Sequence, residues 1–394
     1  MKLRKDKWDN SKLRSITHRI TKGTTPTSIG CNFHASGINF IKAESLTENG
    51  EFVVDKFAYI DEETNSKLKR SIIEENDILF SIAGVIGRVA IANNEILPAN
   101  TNQALSIIKP NLDYVIPNYL RFFLISDFFK KQVRNKTVQT AQANINLESL
   151  GNSDILLPPL EEQKTIAALF QSIETTIEQV DGQEKNLLNL KKQMLRELFG
   201  ETQQFGNYLH KSDFEKVKFE KIALNISERV EPQKTTLDTY VGLEHLDPDN
   251  LVIARTGTPD DVIGTKLKIY KGDIIFGKRR AYQRKVAVSY FDGIASAHSM
   301  ILRANEKHIE KEFLPFFMQS DVFMNRAVQI SEGSLSPTIK WKTLAAQEFY
   351  LPQKEKQQEL TKVFKQFDIT REQLKQQKIT LKNLKQKLLS EILG

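Results

Sequence analysis

A basic stretch of nine residues, from Gly277 to Lys285, carries the side chains of this chain that are best suited to chemistry. Lysine and arginine can anchor phosphates, arginine and glutamine can hydrogen-bond base edges, and tyrosine can stack or pack against a sugar. The basic stretch therefore indicates contact with nucleic acid, although a hairpin that only faces solvent could have the same composition. The residues that we expect to take part are Lys278, Arg279, Arg280, Tyr282, Gln283, Arg284 and Lys285.

Motifs for catalysis or nucleotide binding are incomplete. Gly272 to Lys278 matches the first seven positions of a phosphate-binding P-loop, but Arg279 follows where serine or threonine would hold magnesium. Pro259 to Asp261 resembles part of a nuclease site, yet the strand predicted at Ile269 to Phe276 lacks an acidic-x-Lys partner, so we predict a turn. The sequence also lacks the Asn-Pro-Pro-Tyr type of run that amino methyltransferases use. We expect no catalytic residues and no enzyme activity in this chain.

The composition is that of a basic protein without metal or disulfide chemistry. The 394 residues carry a formal charge of +7 and have a pI near 9.1, which favours an anionic partner. Cys31 is the single cysteine and the six histidines are scattered, so we expect no metal site. The first 15 residues lack the apolar run of a signal peptide, and no stretch approaches the roughly 18 apolar residues of a membrane span. We expect a soluble, cytoplasmic protein.

The chain repeats a long helical segment. Leu157 to Gly200 recurs as Leu351 to Gly394 at a constant offset of 194, with 16 of 44 positions identical. A repeat of this length indicates duplication. Two prolines precede the helical pattern, and apolar residues then recur at spacings of three, four or seven, which requires a partner helix. Gly182 lowers helix propensity near the middle, where we expect a bend.

A mixed α/β domain precedes each repeat. In the first half we predict a strand at Gly37 to Lys42, a hairpin from Asp77 to Ala92 and a helix from Asn118 to Lys131. The polar segment that follows, 135–146, is predicted to be a surface loop. The second half keeps this framework but changes the loops, and its polar segment is 331–340.

One motif, Leu-Pro-x-x-Glu-x-Gln, begins both repeats, at Leu157 to Gln163 and at Leu351 to Gln357. Its duplication and spacing, together with the runs Tyr240 to His245 and Phe276 to Ala287, resemble the specificity subunit of a Type I restriction-modification enzyme. The resemblance covers essentially the whole chain. It implies an α+β fold with two tandem mixed α/β target-recognition domains, separated by two long helices that form an antiparallel coiled coil, and a pseudo-two-fold internal repeat.

The resemblance also implies a function and partners. Each domain would read one half of a split site in double-stranded DNA, while the helices set the unread spacer and dock methyltransferase subunits. Such a subunit has no catalysis of its own and binds no cofactor. S-adenosylmethionine, ATP and Mg2+ are expected on its partners, which are two methyltransferase subunits and two restriction and translocation subunits. A coiled-coil scaffold without a DNA role is the alternative.

The repeat predicts a recognition domain at 1–156, a spacer helix at 157–200, a linker at 201–212, a second recognition domain at 213–350 and a second spacer helix at 351–394. Base-reading candidates are taken from loops that differ between the halves while their frameworks agree. Beyond the basic stretch they are Lys22, Thr24, Thr25, Arg88, Gln139, Thr140, Gln142, Asn144, Ser334, Ser336 and Thr338. Four residues lie off the apolar stripe of the helical repeat and are candidate contacts for the methylating subunits: Leu188, Phe199, Ile379 and Leu393.

Overall fold

The structure, a computed structural model, describes residues 5–137, 144–200 and 205–394. It divides into two compact units, the first formed by Met1–Val180 with Gln376–Gly394 and the second by Asp181–Lys375. Each unit contains one globular half and part of each of two long helices. Within the described residues, no helix combines the length and the apolar character that crossing a membrane requires.

The described strands of the first half are β1 (Asp9–Lys12), β2 (Thr17–Lys22), β3 (Ile38–Ile41), β4 (Ala58–Ile60), β5 (Ile78–Ser81), β6 (Val89–Ile91), β7 (Ala99–Thr101), β8 (Leu105–Pro110) and β9 (Asp154–Leu157). Its helices are α1 (Glu62–Lys67), α2 (Pro117–Leu124), α3 (Asp127–Thr137), α4 (Leu147–Gly151) and the long α5 (Leu160–Leu198).

The described strands of the second half are β10 (Phe214–Lys218), β11 (Ala223–Ile226), β12 (Arg229–Val230), β13 (Tyr240–Val241), β14 (Lys266–Ile269), β15 (Ile274–Gly277), β16 (Val286–Val288), β17 (Gly293–Ala295), β18 (Ser299–Ala304) and β19 (Glu348–Pro352). Its helices are α6 (Phe219–Ile222), α7 (Leu314–Gln319), α8 (Asp321–Gln329), α9 (Trp341–Ala345) and the long α10 (Lys354–Leu393).

The central sheet of the first unit has the strand order β2-β8-β5-β6, and its neighbouring strands are antiparallel. β5 is buried along its whole length, as its apolar sequence requires of a central strand. The hairpin predicted from Asp77 to Ala92 is confirmed, because β5 pairs with β6 in a register that places Leu79 opposite Ala90. A second sheet has the order β4-β3-β7, and its β3 is the strand predicted at Gly37 to Lys42.

The second unit repeats this two-sheet plan. Its four-stranded sheets have the orders β11-β18-β15-β16 and β12-β14-β17-β13. Among the described strands, each unit has one parallel pair, β3 with β7 and β13 with β17. The predicted α+β fold class and internal repeat are therefore confirmed. The continuous strand predicted from Ile269 to Phe276 is wrong, because Gly272 adopts a φ of +95° and turns the chain between β14 and β15.

The single helix predicted from Asn118 to Lys131 is in fact two helices, α2 and α3. The Ser126 hydroxyl accepts a hydrogen bond from the Phe129 amide at 3.3 Å and so caps the start of α3. Ser320 caps α8 in the same way in the second unit. The cap satisfies an otherwise free amide of the first turn, and this local bond divides an apolar pattern that is continuous in sequence.

The polar segment 135–146 departs from a surface loop where it is described. Its first residues, up to Thr137, continue α3. At its other end Ile145 is buried, and the Asn146 side chain caps α4 by accepting a hydrogen bond from the Ser149 amide at 2.7 Å. Asn144 remains exposed between these anchored ends.

The two long helices pack in antiparallel fashion within each unit. In the first unit, Lys385 of α10 pairs with Glu174 of α5 at 2.6 Å. In the second unit, Lys191 of α5 pairs with Asp368 of α10 at 2.6 Å. The two ion pairs are equivalent under the 194-residue offset, since each helix contributes its early carboxylate to one pair and its late lysine to the other. α5 is continuous through Gly182.

A buried glutamine joins each long helix to its globular half. The Gln163 side chain donates to the Pro158 carbonyl oxygen and accepts from the Ile116 amide, both at 2.9 Å. Gln357 accepts from the Glu310 amide at 2.8 Å in the equivalent position. The final residue of the Leu-Pro-x-x-Glu-x-Gln motif therefore orients each helix on its domain.

Candidate nucleic-acid interface

The basic stretch lies at one end of the central sheet of the second unit. β11 and β15 end there, whereas β16 and β18 begin there, because neighbouring strands in this sheet are antiparallel. The basic stretch joins β15 to β16 and therefore extends beyond this edge. The buried sheet holds the loop while leaving its tip accessible.

The polar segment of the second unit lies against the basic stretch. Arg279 and Thr338 form an isolated antiparallel bridge, and the Ile339 amide donates to the Lys278 carbonyl oxygen at 3.0 Å. The Arg279 guanidinium also donates from Nη2 to Ser336 Oγ at 3.0 Å. Two loops that were predicted separately as candidates thus form one surface.

The loop tips carry the most exposed side chains of this surface. Tyr282 is 55% exposed and lies between Arg280 and Arg284, whose left-handed φ values of 58° and 54° are uncommon outside glycine. Leu335, beside the exposed Ser334, is 91% exposed. Sequence reasoning missed Leu335, because a single leucine in a polar segment forms no pattern. The other predicted residues here are partly buried: Lys278, Arg279, Gln283, Ser336 and Thr338.

Arg284 and Lys285 hold the basic stretch in place. Arg284 Nε bonds to the Asp249 carboxylate at 2.7 Å, and its Nη2 donates to the Gln319 carbonyl oxygen at 2.6 Å. Lys285 Nζ donates to the Leu243 carbonyl oxygen at 2.6 Å. Because atoms of their own domain take up these cations, we assign both to support of the loop rather than to contact with a ligand.

His298 is a residue of this surface that sequence reasoning missed. Its Nε2 lies 3.2 Å from Arg279 Nη1. Burial lowers the pKa of His298, and the positive charges of Arg279 and Lys278 lower it further. A neutral imidazole can accept a hydrogen bond from the guanidinium, so His298 orients Arg279. No sequence signal connects a lone histidine to an arginine on a different loop.

The first unit brings the corresponding loops together with different side chains. Ala83 and Asn144 form an isolated antiparallel bridge, and the Ile145 amide donates to the Ile82 carbonyl oxygen at 3.0 Å. The backbone contacts match those of the second unit. Alanine and isoleucine replace the arginine and lysine found there, so the first surface lacks that pair of cations.

Arg88 has the support role that Lys285 has in the second unit. Its Nη1 donates to the carbonyl oxygens of Leu46 at 2.7 Å and Ala43 at 3.3 Å. Ala43 corresponds to Leu243 in the repeat, so both cations tie the hairpin to the same turn. Arg88 therefore holds the loop, and its guanidinium is not presented at the tip.

The early turn of the first unit reaches the same sheet end. Lys22 is exposed at the end of β2, and Thr24 and Thr25 are partly buried. Thr25 Oγ1 donates to Gln103 Oε1 at 2.7 Å, next to the start of β8. The remaining predicted residues of this unit lie outside the described residues: Gln139, Thr140 and Gln142.

As predicted, Pro259–Asp261 is a turn, and the Asp261 carboxylate accepts a hydrogen bond from the Thr258 amide at 2.6 Å. Within the described ranges, His, Cys, Asp and Glu side chains form no group of three that could hold a metal ion.

Two of the four candidate docking residues on the long helices are buried, so they cannot be exposed contacts. Phe199 packs on Phe317 with ring centroids 5.2 Å apart, and Leu393 is fully buried in the core of the first unit. Both side chains lie off the apolar stripe of the helical repeat, and they contact a globular domain instead of solvent. Leu188 is partly buried and Ile379 is 50% exposed.

The chain contains two domains with the same fold. Each domain has its own loops at one end of its central sheet and is joined to a pair of long antiparallel helices. This arrangement is that of a DNA-recognition subunit. A family model described as the Type I restriction modification DNA specificity domain matches residues 5–190 and 247–383, and the chain belongs to this family. Its relatives are named specificity subunits, which are the non-catalytic members of such systems.

Individual relatives agree with the family assignment. The chain is 24% identical over 410 residues to the putative type I restriction enzyme MjaX specificity subunit of Methanocaldococcus jannaschii, covering 98% of this chain and 92% of that protein. It is 28% identical over 167 residues to the EcoBI specificity subunit of Escherichia coli, covering 41% of this chain and 35% of that protein. The crystal structure of the S subunit from M. genitalium is similar in fold, with a TM-score of 0.56, 14% identity and coverage of 99% and 97%.

Proposed function

We propose that this chain is the specificity subunit of a Type I restriction-modification complex in which each unit reads one half of a bipartite site in double-stranded DNA. The paired loop contact carries the proposal: Arg279 bridges Thr338 in one unit and Ala83 bridges Asn144 in the other. The same framework therefore holds different side chains in the two units. Two recognition domains that share a fold but differ in their loops suit two different half-sites.

In the second unit we assign DNA contacts to the exposed surface formed by both loops. Arginine and glutamine can bind base edges, and Leu335 can contact the methyl group of thymine. We keep as candidates Arg279, Arg280, Tyr282, Gln283, Ser334, Ser336 and Thr338.

In the first unit the candidates are fewer and largely uncharged. Lys22 can bind a phosphate, while the threonine and asparagine side chains can hydrogen-bond bases or the backbone. We keep Lys22, Thr24, Thr25 and Asn144, together with Gln139, Thr140 and Gln142 from the sequence.

We further propose recognition domains at 1–156 and 213–350, spacer helices at 157–200 and 351–394, and a linker at 201–212. Observed helix ends support these bounds, since α5 begins at Leu160 and α10 at Lys354. At about 1.5 Å per residue, helices of this length span about 60 Å, more than the roughly 34 Å of one duplex turn. Helix length would then set the unread gap.

We propose that two methyltransferase subunits dock on the long helices, with two restriction and translocation subunits completing the complex in the cytoplasm. Leu190 and Leu384 support this, because they are equivalent in the repeat and are 50% and 44% exposed. Two identical partners need two equivalent surfaces. The partners would bring S-adenosylmethionine, ATP and Mg2+.

Mapping of methylated adenines in host DNA tests the proposed function. Cells with the gene should carry methylation at one split motif, and cells without it should lose that motif alone. Supplying the gene again should restore the motif. An unchanged methylation pattern would favour the scaffold alternative.

A further inference from the structure

A cleft of about 380 Å³ opens beside the basic stretch in the second unit. Its walls combine two cations, Arg229 and Lys278, with the apolar side chains of Ile226 and Met300 and the ring of Trp341. The cleft lies at the sheet end where the loops meet, because Arg229 follows β11 and Lys278 follows β15.

The two cations of the cleft have no partner among the residues that the structure describes. Within the described part of the chain, neither Arg229 nor Lys278 has a carboxylate partner or a side-chain hydrogen bond. Both residues line the cleft. Burial lowers the pKa of Lys278, and the nearby like charge of Arg229 lowers it further. The third cation at the rim, Lys340, is already bound to Glu332 at 2.6 Å.

The Ser299 hydroxyl in the cleft also requires a hydrogen-bond partner. Ser299 lines the cleft, its side chain is fully buried, and its hydroxyl has no hydrogen-bond partner among the described residues. Buried hydroxyl groups in folded proteins are nearly always hydrogen-bonded. Two unpaired cations beside an unpaired hydroxyl form a site for an anion with hydrogen-bond acceptors.

We propose that this cleft binds one backbone phosphate of the DNA half-site read by the second unit, with Arg229 and Lys278 as the charge partners and Ser299 as a hydrogen-bond donor. The inference rests on the proposed function, which brings duplex DNA to this surface. The apolar wall formed by Ile226, Met300 and Trp341 suits the sugar next to the phosphate. A phosphate contact fixes register while Arg279 and its neighbours read the bases.

In the described part of the first unit, the positions equivalent to this phosphate site carry no charge. The strand registers align Ile226 with Thr21 and Gly277 with Ser81. When these registers are extended past the strand ends, Thr24 corresponds to Arg229, Ile82 to Lys278 and Leu105 to Ser299. All three residues of the first unit are uncharged. The two half-sites are therefore held differently.

The first test measures DNA affinity against salt for the full chain assembled with its methyltransferase. The double variant Arg229→Gln with Lys278→Gln should bind the target duplex roughly tenfold more weakly. Its slope of log binding constant against log salt should be smaller by about one, the value expected for one lost phosphate contact. Lys221→Gln is the matched control, because this exposed lysine precedes the opposite end of β11.

The second test places a single neutral methylphosphonate at each backbone position of the second half-site. Wild type should lose affinity at one position where the double variant loses none. Equal losses in both proteins at every position, or an unchanged salt slope, would overturn the cleft assignment. If Lys278→Gln prevents folding, both measurements are made on the single variant Arg229→Gln, because the Arg229 side chain is exposed.

The two proposals fail in different ways. If the wild-type complex does not distinguish its target duplex from a scrambled one, the proposed function is wrong. If it does distinguish them but the cleft variants behave like Lys221→Gln, only the phosphate site is wrong.

Discussion

The cations of the basic stretch have different roles although they are adjacent in sequence. Arg284 and Lys285 bond to groups of their own domain, whereas Arg279 lies on the loop surface between Ser336 and His298. An arginine with a carboxylate partner stabilises the loop. An arginine held by neutral groups keeps its charge available for a ligand.

Substitution of these arginines should separate stability from binding. Arg284→Gln breaks the contact with Asp249 and should lower the free energy of unfolding by about 1–3 kcal/mol. Arg279→Gln should leave unfolding nearly unchanged and weaken binding to the target duplex. Denaturant unfolding and DNA titration of both variants measure this difference. Similar unfolding curves for the two would contradict the assigned roles.

Asp77 links the stability of the first unit to pH. Burial raises the pKa of this carboxyl from near 3.8 to about 6, although the carboxylate accepts a hydrogen bond from the Glu74 amide at 2.8 Å. The folded state therefore binds the proton more tightly than the unfolded chain does. This contribution to stability is present below about pH 4 and is lost as pH rises to about 6.

Asp77→Asn removes the charge and keeps an acceptor for the Glu74 amide. At pH 7 its free energy of unfolding should exceed that of wild type by about 2 kcal/mol, and near pH 4 the two should agree. Urea unfolding between pH 4 and pH 7 measures the difference. The equivalent Asp273→Asn is the control and should destabilise, because Asp273 bonds to Arg303 at 2.7 Å. A constant difference across this range would refute the assignment.

At the scale of elements, each long helix is fixed both to its own domain and to the other helix. Buried Gln163 and Gln357 provide the first connection. The second connection includes Glu174. Burial tends to raise the pKa of this carboxyl, but hydrogen bonds and charges from Arg121 and Lys385 outweigh burial and hold that pKa below its ordinary value. Glu174 therefore remains ionised and keeps the helices in register.

Removal of the glutamine connection should destabilise each unit. Gln163→Leu leaves the Ile116 amide without its acceptor and should lower the free energy of unfolding by about 1–3 kcal/mol. Gln357→Leu should do the same through the Glu310 amide. Gln179→Leu, at an exposed position on α5, is the control and should have little effect. Denaturant midpoints measure all three, and equal midpoints would argue against the connection.

At the scale of the whole molecule, duplication yields equivalent frameworks with unequal surfaces. Ion pairs, caps and buried glutamines recur at the 194-residue offset. The loops at the sheet ends differ, as do the phosphate-cleft positions. Under the proposed function, the equivalent frameworks suit two identical partners and the unequal loops suit an asymmetric DNA site.

Matched insertions test whether helix length sets the gap between half-sites. Four residues added after Val180 in α5 and four after Lys375 in α10 fall on the unit boundaries and spare the contacts inside each unit. They add about 6 Å to each helix, so the unread gap should lengthen by one or two base pairs. Methylation mapping measures the gap. An unchanged gap in an assembled, active variant would refute the proposed ruler.

The sequence by itself determined the duplication, the two long helices, the β5–β6 hairpin and the family. These features depend on periodicity and local chemistry, which one chain displays directly. Tertiary structure alone decided the break at Ser126, the burial of Phe199 and the roles of the cations. Arg88, Arg279 and Arg284 look alike in sequence, but their partners lie on segments far along the chain. The free energy of a charged side chain depends on those neighbours, and only the fold brings them together.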